Sequence, residues 1–331
     1  MSTHNVDVFH IQEIFPHYNA DNLSIIKPFG FQVVVQKDSF KVGDLVAYCP
    51  PDTIVPFSYP DFSFLQKNAP EGRTNHRVKV IKLRGEVSQG LLIKAPHGSV
   101  DGENIFEQLG CQWYEAPEVF DGVKLGGKQE SGPSLFAPVY DLENVRRYHK
   151  ILLPNEPLIL TEKIHGSSAR FFFDGQRFWC GSHRQWKRLD DTCVWWKTLY
   201  NEIELQNFLT QNPDHIVYGE IYGQIQKGYT YGVPQGGTRL AVFDILANDR
   251  FLDYYSAQTL APRLPWVPVL AEDYPYKNLL DLGLFAEGKS MVPGALNIRE
   301  GCVIQPVTER FESSIGRIKL KMVGNQFLIK D

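Results

Sequence analysis

The stretch 158-LILTEKIHGSSARFFF-173 carries a lysine in the middle of an apolar, strand-like pattern. Two apolar segments flank a short polar turn, and Gly166 gives the backbone the freedom that a tight turn requires. Lys163 ends the first segment, although burying an ammonium without a partner is costly. The pattern therefore predicts two strands joined by a turn, with a lysine that has a chemical role.

The tetrapeptide KxxG that begins at Lys163 does not identify this role by itself. It occurs five times in the chain, beginning at Lys27, Lys82, Lys124, Lys163 and Lys321. A lysine becomes a covalent nucleophile when desolvation or neighbouring cations lower its pKa. Residues elsewhere in the chain that could surround Lys163 must therefore indicate whether it has this role.

Candidate partners follow Lys163 in a defined order. They are Arg184 in 181-GSHR-184, Glu220 in 218-YGEIYG-223, Phe243 beside Asp244 in 240-LAVFDIL-246, Glu300 in 300-EGCVIQP-306, and Lys319 and Lys321 in 318-IKLKM-322. Residues two apart share one face of a strand, so the last two lysines are expected to point the same way. Each residue alone also fits a structural role, in the core for Phe243 and on the surface for the charged residues.

Composition excludes several classes of protein. The 331 residues carry a net charge of −4 and five scattered cysteines without a CxxC pair. The chain is therefore not a polycation, and any nucleic-acid surface must be local, with 183-HRQWKR-188 as either such a surface or a solvated turn. The cysteines predict reduced thiols rather than disulfides or a zinc site. No apolar run approaches the roughly 18 residues of a membrane span, and no signal peptide is apparent, so we expect a cytoplasmic protein.

The first hundred residues predict short strands punctuated by turn residues. The segments are 6–14, 31–36, 45–50, 77–85 and 90–93. Strands at this spacing favour a small closed barrel of the OB type. Lys79, Lys82 and Arg84 alternate with apolar residues on one strand, which is equally compatible with a face that binds a nucleic-acid backbone and with a merely solvated face.

The pattern changes after the barrel. Residues 117–135 are rich in Gly, Pro and charge and predict a linker. A helical period over 139–152 and another around 194–211 then alternate with apolar strand segments. The sequence therefore predicts an α+β protein with an OB-type barrel in 1–116 and a mixed α+β catalytic domain in 136–331. Within 255–295 we predict only loops and connecting structure for 262-PRLPWVPVL-270.

Taken in order from Lys163 to Lys321, the segments resemble motifs I, Ia, III, IIIa, IV and V of the covalent nucleotidyltransferases, the superfamily of ligases and capping enzymes. EKIHG, with the later EGxV and KxK, is especially similar to ATP-dependent RNA ligases that seal nicks in duplexes. The segments 78-VKVIKLRGEVSQGLLI-93 and 38-DSFKVGDLVAYCPPDTIVP-56 resemble the Deinococcus-type RNA ligases, which carry an N-terminal OB domain. The resemblance covers most of the chain except the linker and parts of 255–295.

This resemblance implies a nucleotidyltransferase domain and a role for each motif residue. Lys163 would attack the α-phosphorus of ATP and form a lysyl-AMP intermediate. Lys319, Lys321 and a divalent metal would lower the pKa of Lys163 and neutralise charge on the phosphate. Glu300 would be the carboxylate that binds Mg²⁺ or Mn²⁺, since these ions prefer oxygen ligands.

The remaining residues would bind the nucleotide or the RNA. Phe243 and Val303 would enclose the adenine, and Glu162 would accept a hydrogen bond from its exocyclic amine. Glu220 and Arg184 would hold the ribose, or later the RNA terminus. For His165 two roles stay open, which are a contact to phosphate or metal-bound water, and support of the turn.

The position of the barrel favours an RNA ligase over related enzymes. DNA ligases and capping enzymes carry an OB domain after motif V, whereas only ten residues follow Lys321 in this sequence. We expect a monomer without a stable protein partner that joins 3′-OH and 5′-phosphate ends in RNA repair, at nicks in an RNA or RNA/DNA duplex. The alternatives are an enzyme that adenylylates DNA or other polynucleotide ends, and a non-catalytic nucleic-acid-binding protein built on a ligase core.

Overall fold

The computed structural model describes residues 4–114, 119–120, 123–124, 127–133 and 137–330. The chain divides into two compact units, one made mainly of residues up to 116 and the other of residues 117–327. Parts of the predicted domain and linker bounds fall on residues that lie outside the described ones, namely 115–118, 121–122, 125–126 and 134–136. The bounds themselves therefore stay predictions.

The first unit consists of short antiparallel strands. They are β1 Asp7–His10, β2 Phe15–Pro16, β3 Leu23–Ile26, β4 Val33–Gln36, β5 Leu45–Cys49, β6 Thr53–Pro56, β7 Asn75–Arg77, β8 Val80–Leu83, β9 Glu86–Gln89, β10 Leu91–Lys94 and β11 Gln112–Trp113. Three of the small sheets have the strand orders β1-β5-β10, β2-β3-β4 and β11-β6-β7, and β8 and β9 form a hairpin. Two 3₁₀ segments, Pro28–Gly30 and Pro60–Asn68, lie between the strands.

Two apolar clusters fill this unit. Val8, Ala47 and Ile93 belong to one, while Ile26 and Tyr48 belong to the other. Alternate residues of β5 face different clusters, because side chains of a strand point alternately to its two sides. Both faces of this strand, which the sequence predicts at 45–50, therefore lie in the core.

The second unit contains the remaining elements. Its strands are β12 Val119–Phe120, β13 Val123–Lys124, β14 Gln129–Glu130, β15 Glu143–Asn144, β16 Pro157–Lys163, β17 Ser167–Phe173, β18 Phe178–Gly181, β19 Trp186–Lys187, β20 His215–Gly223, β21 Thr238–Ala247, β22 Arg250–Phe251, β23 Val269–Pro275, β24 Gly301–Pro306, β25 Phe311–Glu312, β26 Gly316–Arg317 and β27 Leu320–Val323. Its helices are α1 Val145–Tyr148, α2 Val194–Asn201, α3 Ile203–Gln211, α4 Tyr254–Leu260, α5 Leu279–Ala286 and α6 Asn325–Lys330, with a 3₁₀ segment at His149–Ile151.

Two sheets organise this unit. The larger has the strand order β14-β19-β18-β17-β20-β21-β22, and the smaller has the order β15-β27-β24-β16-β23. Helices α2 and α3 cover one face of the larger sheet through residues such as Trp195 and Leu205. Helix α5 covers the smaller sheet through Leu282 and Ala286. An all-β unit is thus followed by a mixed unit, which confirms the predicted α+β class.

Several elements of the second unit differ from the prediction. The helical period over 139–152 gives only a short helix, because residues 143–144 pair with β27 instead. A strand, β23, begins at the end of 262–270, a segment for which only loops and connecting structure are predicted, and continues to Pro275. Strand β14, inside the predicted linker, pairs with β19 at the edge of the larger sheet, since backbone pairing at an edge requires no apolar side chains.

Candidate active site

Lys163 is the last residue of β16, and β17 begins four residues later in the other sheet. The turn between them therefore crosses from one central sheet of the unit to the other. A Cβ atom on Gly166 would lie 2.1 Å from the carbonyl oxygen of Ile221, so the close approach of the turn to β20 requires glycine. The backbone N–H of His165 donates to the hydroxyl of Tyr231 over 2.7 Å. These contacts fix the backbone that follows the lysine.

A cavity of about 240 Å³ opens beside this turn. Its lining comes from β16, β17, β20, β21, β24 and β27 together with the loops that lead into them. The lining residues are Tyr140, Asp141, Leu142, Thr161, Glu162, Lys163, Ile164, Ser168, His183, Glu220, Phe243, Val267, Val303, Lys319 and Lys321. Seven of the residues predicted from the motifs, distributed over 160 positions of the sequence, thus line one cavity.

The strand register explains how distant residues meet here. Thr161 pairs with Val303 across β16 and β24, and Val303 pairs with Lys321 across β24 and β27. The three residues form one row across the sheet, so their side chains share a face. Lys163 lies two positions after Thr161 and therefore on the same face. On the other sheet, Glu220 pairs with Ser168.

The ammonium of Lys163 forms an ion pair with Glu300, with 2.7 Å between Nζ and Oε1. Burial lowers the pKa of Lys163, but the carboxylates Glu300 and Glu220 outweigh it and raise this pKa above its ordinary value. Without a bound metal, the net shift of the Lys163 pKa is therefore opposite to the lowering predicted from Lys319, Lys321 and a divalent metal, although Lys321 and Lys163 do lower each other's pKa. The sequence order could not reveal that two carboxylates, rather than two lysines, are the dominant charges around the amine.

Glu300 itself does not line the cavity but contacts the lysine that does. Its second oxygen, Oε2, is buried without a hydrogen-bond partner and lies 3.7 Å from Nδ1 of His165. The His165 ring packs edge-on against Tyr229 and Phe327. His165 is therefore both supported by aromatic rings and close to a carboxylate, so the structure leaves both of its predicted roles open.

Burial has a large effect on Glu220. It raises the pKa of Glu220 to about 8, an effect that Lys163 opposes and the nearby charge of Glu300 reinforces. Two carboxylates and one lysine thus form a compact, coupled charge cluster. Such clusters with strongly shifted pKa values occur preferentially at functional sites.

Glu162 is almost completely buried, with 1% of its surface exposed. Its Oε2 accepts a hydrogen bond of 2.6 Å from the backbone N–H of Met291, whereas its Oε1 is buried without a partner. Burial raises the pKa of Glu162, and hydrogen bonds from Ser290 and Met291 oppose this effect. An unsatisfied oxygen in a residue that lines the cavity is free to accept a hydrogen bond from a ligand.

Phe243 and Val303 both line the cavity, from β21 of the larger sheet and β24 of the smaller sheet. The Phe243 ring also contacts the ring of Tyr140, with 4.7 Å between the centroids. Phe243 is only partly buried. A residue with a purely structural role in the core would be fully buried. The two residues thus provide apolar surface to the cavity from two different sheets.

The two lysines before the C-terminus differ in their surroundings. Lys319 Nζ lies 2.9 Å from Oδ2 of Asp244 and donates to the Phe243 carbonyl over 3.0 Å. Asp244 is also paired with Arg317, which lowers the pKa of Asp244 despite its burial. Burial and the charge of Lys163 lower the pKa of Lys321, and the carboxylates of Asp141, Glu300 and Glu143 oppose this effect. Lys321 is therefore the lysine whose charge acts directly on Lys163.

Arg184 is absent from the residues that line the cavity, whereas its neighbour His183 is among them. Arg184 is exposed at the turn before β19, whereas His183 is partly buried. The predicted ribose contact of Arg184 therefore has no geometric support in this conformation. Sequence reasoning also missed Tyr140, whose hydroxyl bonds to Asp244, and Tyr231, because single aromatic residues in loops carry no recognisable pattern.

Comparison with known proteins identifies the class. The sequence model described as RNA ligase matches residues 156–322, and a model described as an OB-fold domain matches residues 6–95. The protein is therefore a ligase with an N-terminal OB-fold domain, as predicted. The first match covers half of the chain, and the chain belongs to the RNA ligase family. None of the curated proteins compared with the chain matches it.

Solved structures share the whole architecture. A lysine-to-alanine mutant of Naegleria gruberi RNA ligase without ligands has 21% identity, a TM-score of 0.84 and 99% coverage of both chains. A second lysine-to-alanine mutant, with ATP and Mn, has 22% identity, a TM-score of 0.83 and 98% coverage of both chains. A glutamate-to-alanine mutant with AMP and Mn has 21% identity, a TM-score of 0.84 and 99% coverage of both. At this identity the similarity concerns the fold.

No helix among the described residues is both long and apolar enough to cross a membrane.

Proposed function

We propose that the protein is an ATP-dependent ligase that joins 3′-OH and 5′-phosphate RNA ends through lysyl-AMP and RNA-adenylate intermediates. The observation that carries the proposal is the position of Lys163, which lines the cavity at the turn between the two sheets and is coupled to Glu300, Glu220 and Lys321. The ATP, AMP and Mn in the Naegleria gruberi structures support the choice of nucleotide and metal.

In the first step Nζ of Lys163 bonds to the α-phosphorus of ATP, and the bond from that phosphorus to the bridging oxygen breaks, so that pyrophosphate leaves. The ammonium must first lose a proton, because only the neutral amine has a lone pair. Lys321 would stabilise negative charge on the α-phosphate, since its ammonium is coupled to the reacting lysine. Lys319 would do so less directly, because Asp244 already neutralises it.

Phe243 and Val303 would enclose the adenine, because they supply apolar surface to the cavity from two sheets. The unpaired Oε1 of Glu162 would accept a hydrogen bond from the exocyclic amine. Glu220 would hold the ribose. When Glu162 is ionised, its buried Oε1 can only accept a hydrogen bond. It therefore favours adenine, which carries an amine donor at this position, over guanine, which carries an oxygen acceptor there.

The residues present fit a divalent metal. The described residues include no group of three or more His, Cys, Asp or Glu that could hold a metal by itself. However, Mg²⁺ is commonly bound by one or two carboxylates together with water and substrate phosphates. Glu300, whose buried Oε2 accepts no hydrogen bond, would hold the metal, and Glu220 is the second carboxylate nearby. When bound, Mg²⁺ or Mn²⁺ supplies positive charge that neutralises phosphate oxygens.

The adenylate would then pass to a 5′-phosphate, and a 3′-hydroxyl would attack that phosphate and release AMP. The N-terminal motifs that resemble the Deinococcus-type RNA ligases support a nicked duplex as the substrate. In this proposal the OB-fold domain of a monomer contacts the nucleic-acid backbone, so that sealing weakens as salt concentration rises.

Sealing of two matched nicks tests the substrate. One nick has a ribonucleotide at the 3′-OH and the other has a 2′-deoxyribonucleotide, and each is tested with ATP and with GTP. We expect efficient sealing only of the ribonucleotide nick with ATP. Equal sealing of both nicks would favour an enzyme for polynucleotide ends in general, and activity with GTP alone would contradict the assigned nucleotide.

A further inference from the structure

The hairpin of β8 and β9 in the first unit has an unusual turn. Its two central residues, Arg84 and Gly85, have φ angles of 48° and 103°. Two-residue hairpin turns with two positive φ angles strongly favour Asn-Gly or Gly-Gly, because a side chain at positive φ is disfavoured. An arginine at this position is a backbone outlier, and such outliers concentrate at functional sites.

A neighbouring segment holds the turn in place. The ring of His17 accepts a hydrogen bond at Nδ1 from the backbone N–H of Asn19, so Nε2 carries the proton and donates to the carbonyl of Leu83 over 3.1 Å. The side chain of Asn19 donates to the carbonyl of Arg84 over 3.2 Å. Residues 17–19 therefore bind two successive carbonyls of the hairpin tip.

Tyr18 lies between these two anchors and yet is 70% exposed. Its ring is nearly parallel to that of His17, with an interplanar angle of 10° and 5.5 Å between centroids. A Cβ atom on Gly85 would lie 2.0 Å from the Tyr18 hydroxyl, so the tip of the Tyr18 ring lies directly against the turn. The ring therefore contacts the hairpin tip while most of its surface remains exposed.

The hairpin whose tip contacts this ring also carries positive charge. Lys82 and Arg84 are exposed, and Ile81 on the same hairpin is 48% exposed. The hairpin also carries Glu86, whose carboxylate oxygen accepts a hydrogen bond from Gln32 over 2.7 Å. Exposed rings beside cations are the surface that single-stranded nucleic acids use, because bases stack on the rings and phosphates pair with the cations.

We propose that Tyr18, Lys82 and Arg84, together called the Tyr18 platform, bind an unpaired nucleotide of the RNA substrate, such as one released when a strand end frays at the nick. The base stacks on the Tyr18 ring, and the flanking phosphates contact Lys82 and Arg84. This inference rests on the proposed RNA-joining function and adds to it a residue-level contact for RNA within the OB-fold domain. It also favours the binding role for these basic residues over a merely solvated face.

Binding of a fluorescent, 5′-phosphorylated RNA single strand to the full-length protein tests the platform. Tyr18→Ala should weaken binding about tenfold, which corresponds to about 1.4 kcal/mol and lies within the range measured for base–aromatic stacking. Tyr18→Phe should bind like the wild type, because stacking requires the ring and not the hydroxyl. Phe64→Ala is the matched control, because Phe64 is another exposed aromatic residue of the same unit, at 51%.

The Arg84→Gly variant tests the effect of the Arg84 charge on RNA binding without destabilising the hairpin. Glycine adopts a positive φ more readily than arginine, so this variant should be at least as stable as the wild type while lacking the cation. We expect the slope of log affinity against log salt to decrease by about 0.7, the value for one phosphate contact on a single strand. An unchanged slope would overturn the proposed phosphate contact.

Self-adenylylation with ATP alone distinguishes failure of the platform from failure of the proposed function. If the wild type forms no adenylate, the proposed function fails, whatever the RNA affinities. If Tyr18→Ala forms the adenylate normally but binds RNA as tightly as the wild type, only the platform is wrong. Equal losses in Tyr18→Ala and Phe64→Ala, or loss of adenylylation in Tyr18→Ala, would also overturn it.

Discussion

Buried charge determines the properties of single residues in this protein. Asp244 on β21 is buried and forms ion pairs with both Arg317 and Lys319. Removing this carboxylate would leave the buried ammonium of Lys319 without its paired carboxylate, whereas Arg317 would keep its ion pair with Glu309. The arrangement also leaves Lys321 as the cation available to the reacting amine.

Replacing Asp244 should therefore be strongly destabilising. We expect Asp244→Ala to reduce the free energy of unfolding by about 3–5 kcal/mol, the usual cost of breaking a buried pair from one side. Denaturant unfolding of the purified variant measures this. Glu204→Ala is the control, because Glu204 pairs with Arg263 at the surface, where both side chains are exposed and the pair contributes less than about 1 kcal/mol. Equal effects of the two substitutions would contradict the assigned role of the Asp244 network.

The sequence predicted several residues of the site but not their pairing. The motif order identified Lys319 and Lys321 as one pair of cations, whereas the structure assigns Asp244 to the first and leaves the second beside Lys163. The exposed position of Arg184 could not be foreseen either. Spacing along a chain predicts which face of a strand a residue occupies, but it does not predict contacts between sheets.

At the scale of elements, the connection from β16 to β17 is decisive because it joins the two sheets of the second unit. The apolar segments on each side of the turn were sufficient to predict both strands. Strand β23 was missed because it is an edge strand with exposed Glu272 and Asp273 and an irregular register against β16. Edge strands need only one hydrogen-bonded neighbour, so their sequences carry a weaker apolar signal.

The turn between these strands should not tolerate any side chain at Gly166. A Cβ atom there would lie 2.1 Å from a backbone oxygen of β20. We expect Gly166→Ala to lose roughly 1–3 kcal/mol of stability through this overlap, and to slow adenylylation because the turn positions Lys163. Thermal unfolding and a single-turnover labelling assay measure the two effects.

Gly283→Ala is the matched control for this substitution. Gly283 lies in α5, and a Cβ atom there would meet only the Met322 sulfur, at 3.9 Å. Because alanine favours helix more than glycine, the control should be unchanged or up to about 1 kcal/mol more stable. A Gly166→Ala variant that was as stable and active as this control would show that the turn tolerates a side chain.

On the scale of the whole molecule, each unit has its own apolar clusters, and the five cysteines are distributed between them. All five are free and buried. Burial raises the pKa of Cys302 to about 12 and that of Cys111 to about 11, and it raises the pKa of Cys49 as well. The thiolate is the reactive form, so these thiols should be inert in the folded protein.

Alkylation followed by intact-mass measurement tests this expectation. At neutral pH the native protein should add no maleimide within the time in which the unfolded protein adds five. Rapid modification of any one cysteine in the native protein would contradict the burial of that residue. The prediction of reduced thiols from their scattered positions depends on the same result, because a disulfide would leave fewer than five reactive groups after unfolding.

If Lys163 carries the adenylate, the label of α-labelled ATP should become attached to this residue. The matched control is Lys150→Ala, since Lys150 is an exposed lysine of the same unit. We predict that the wild type and Lys150→Ala acquire the label while Lys163→Ala, folded as judged by thermal unfolding, acquires none. Label on the Lys163→Ala protein at the wild-type level would contradict the account.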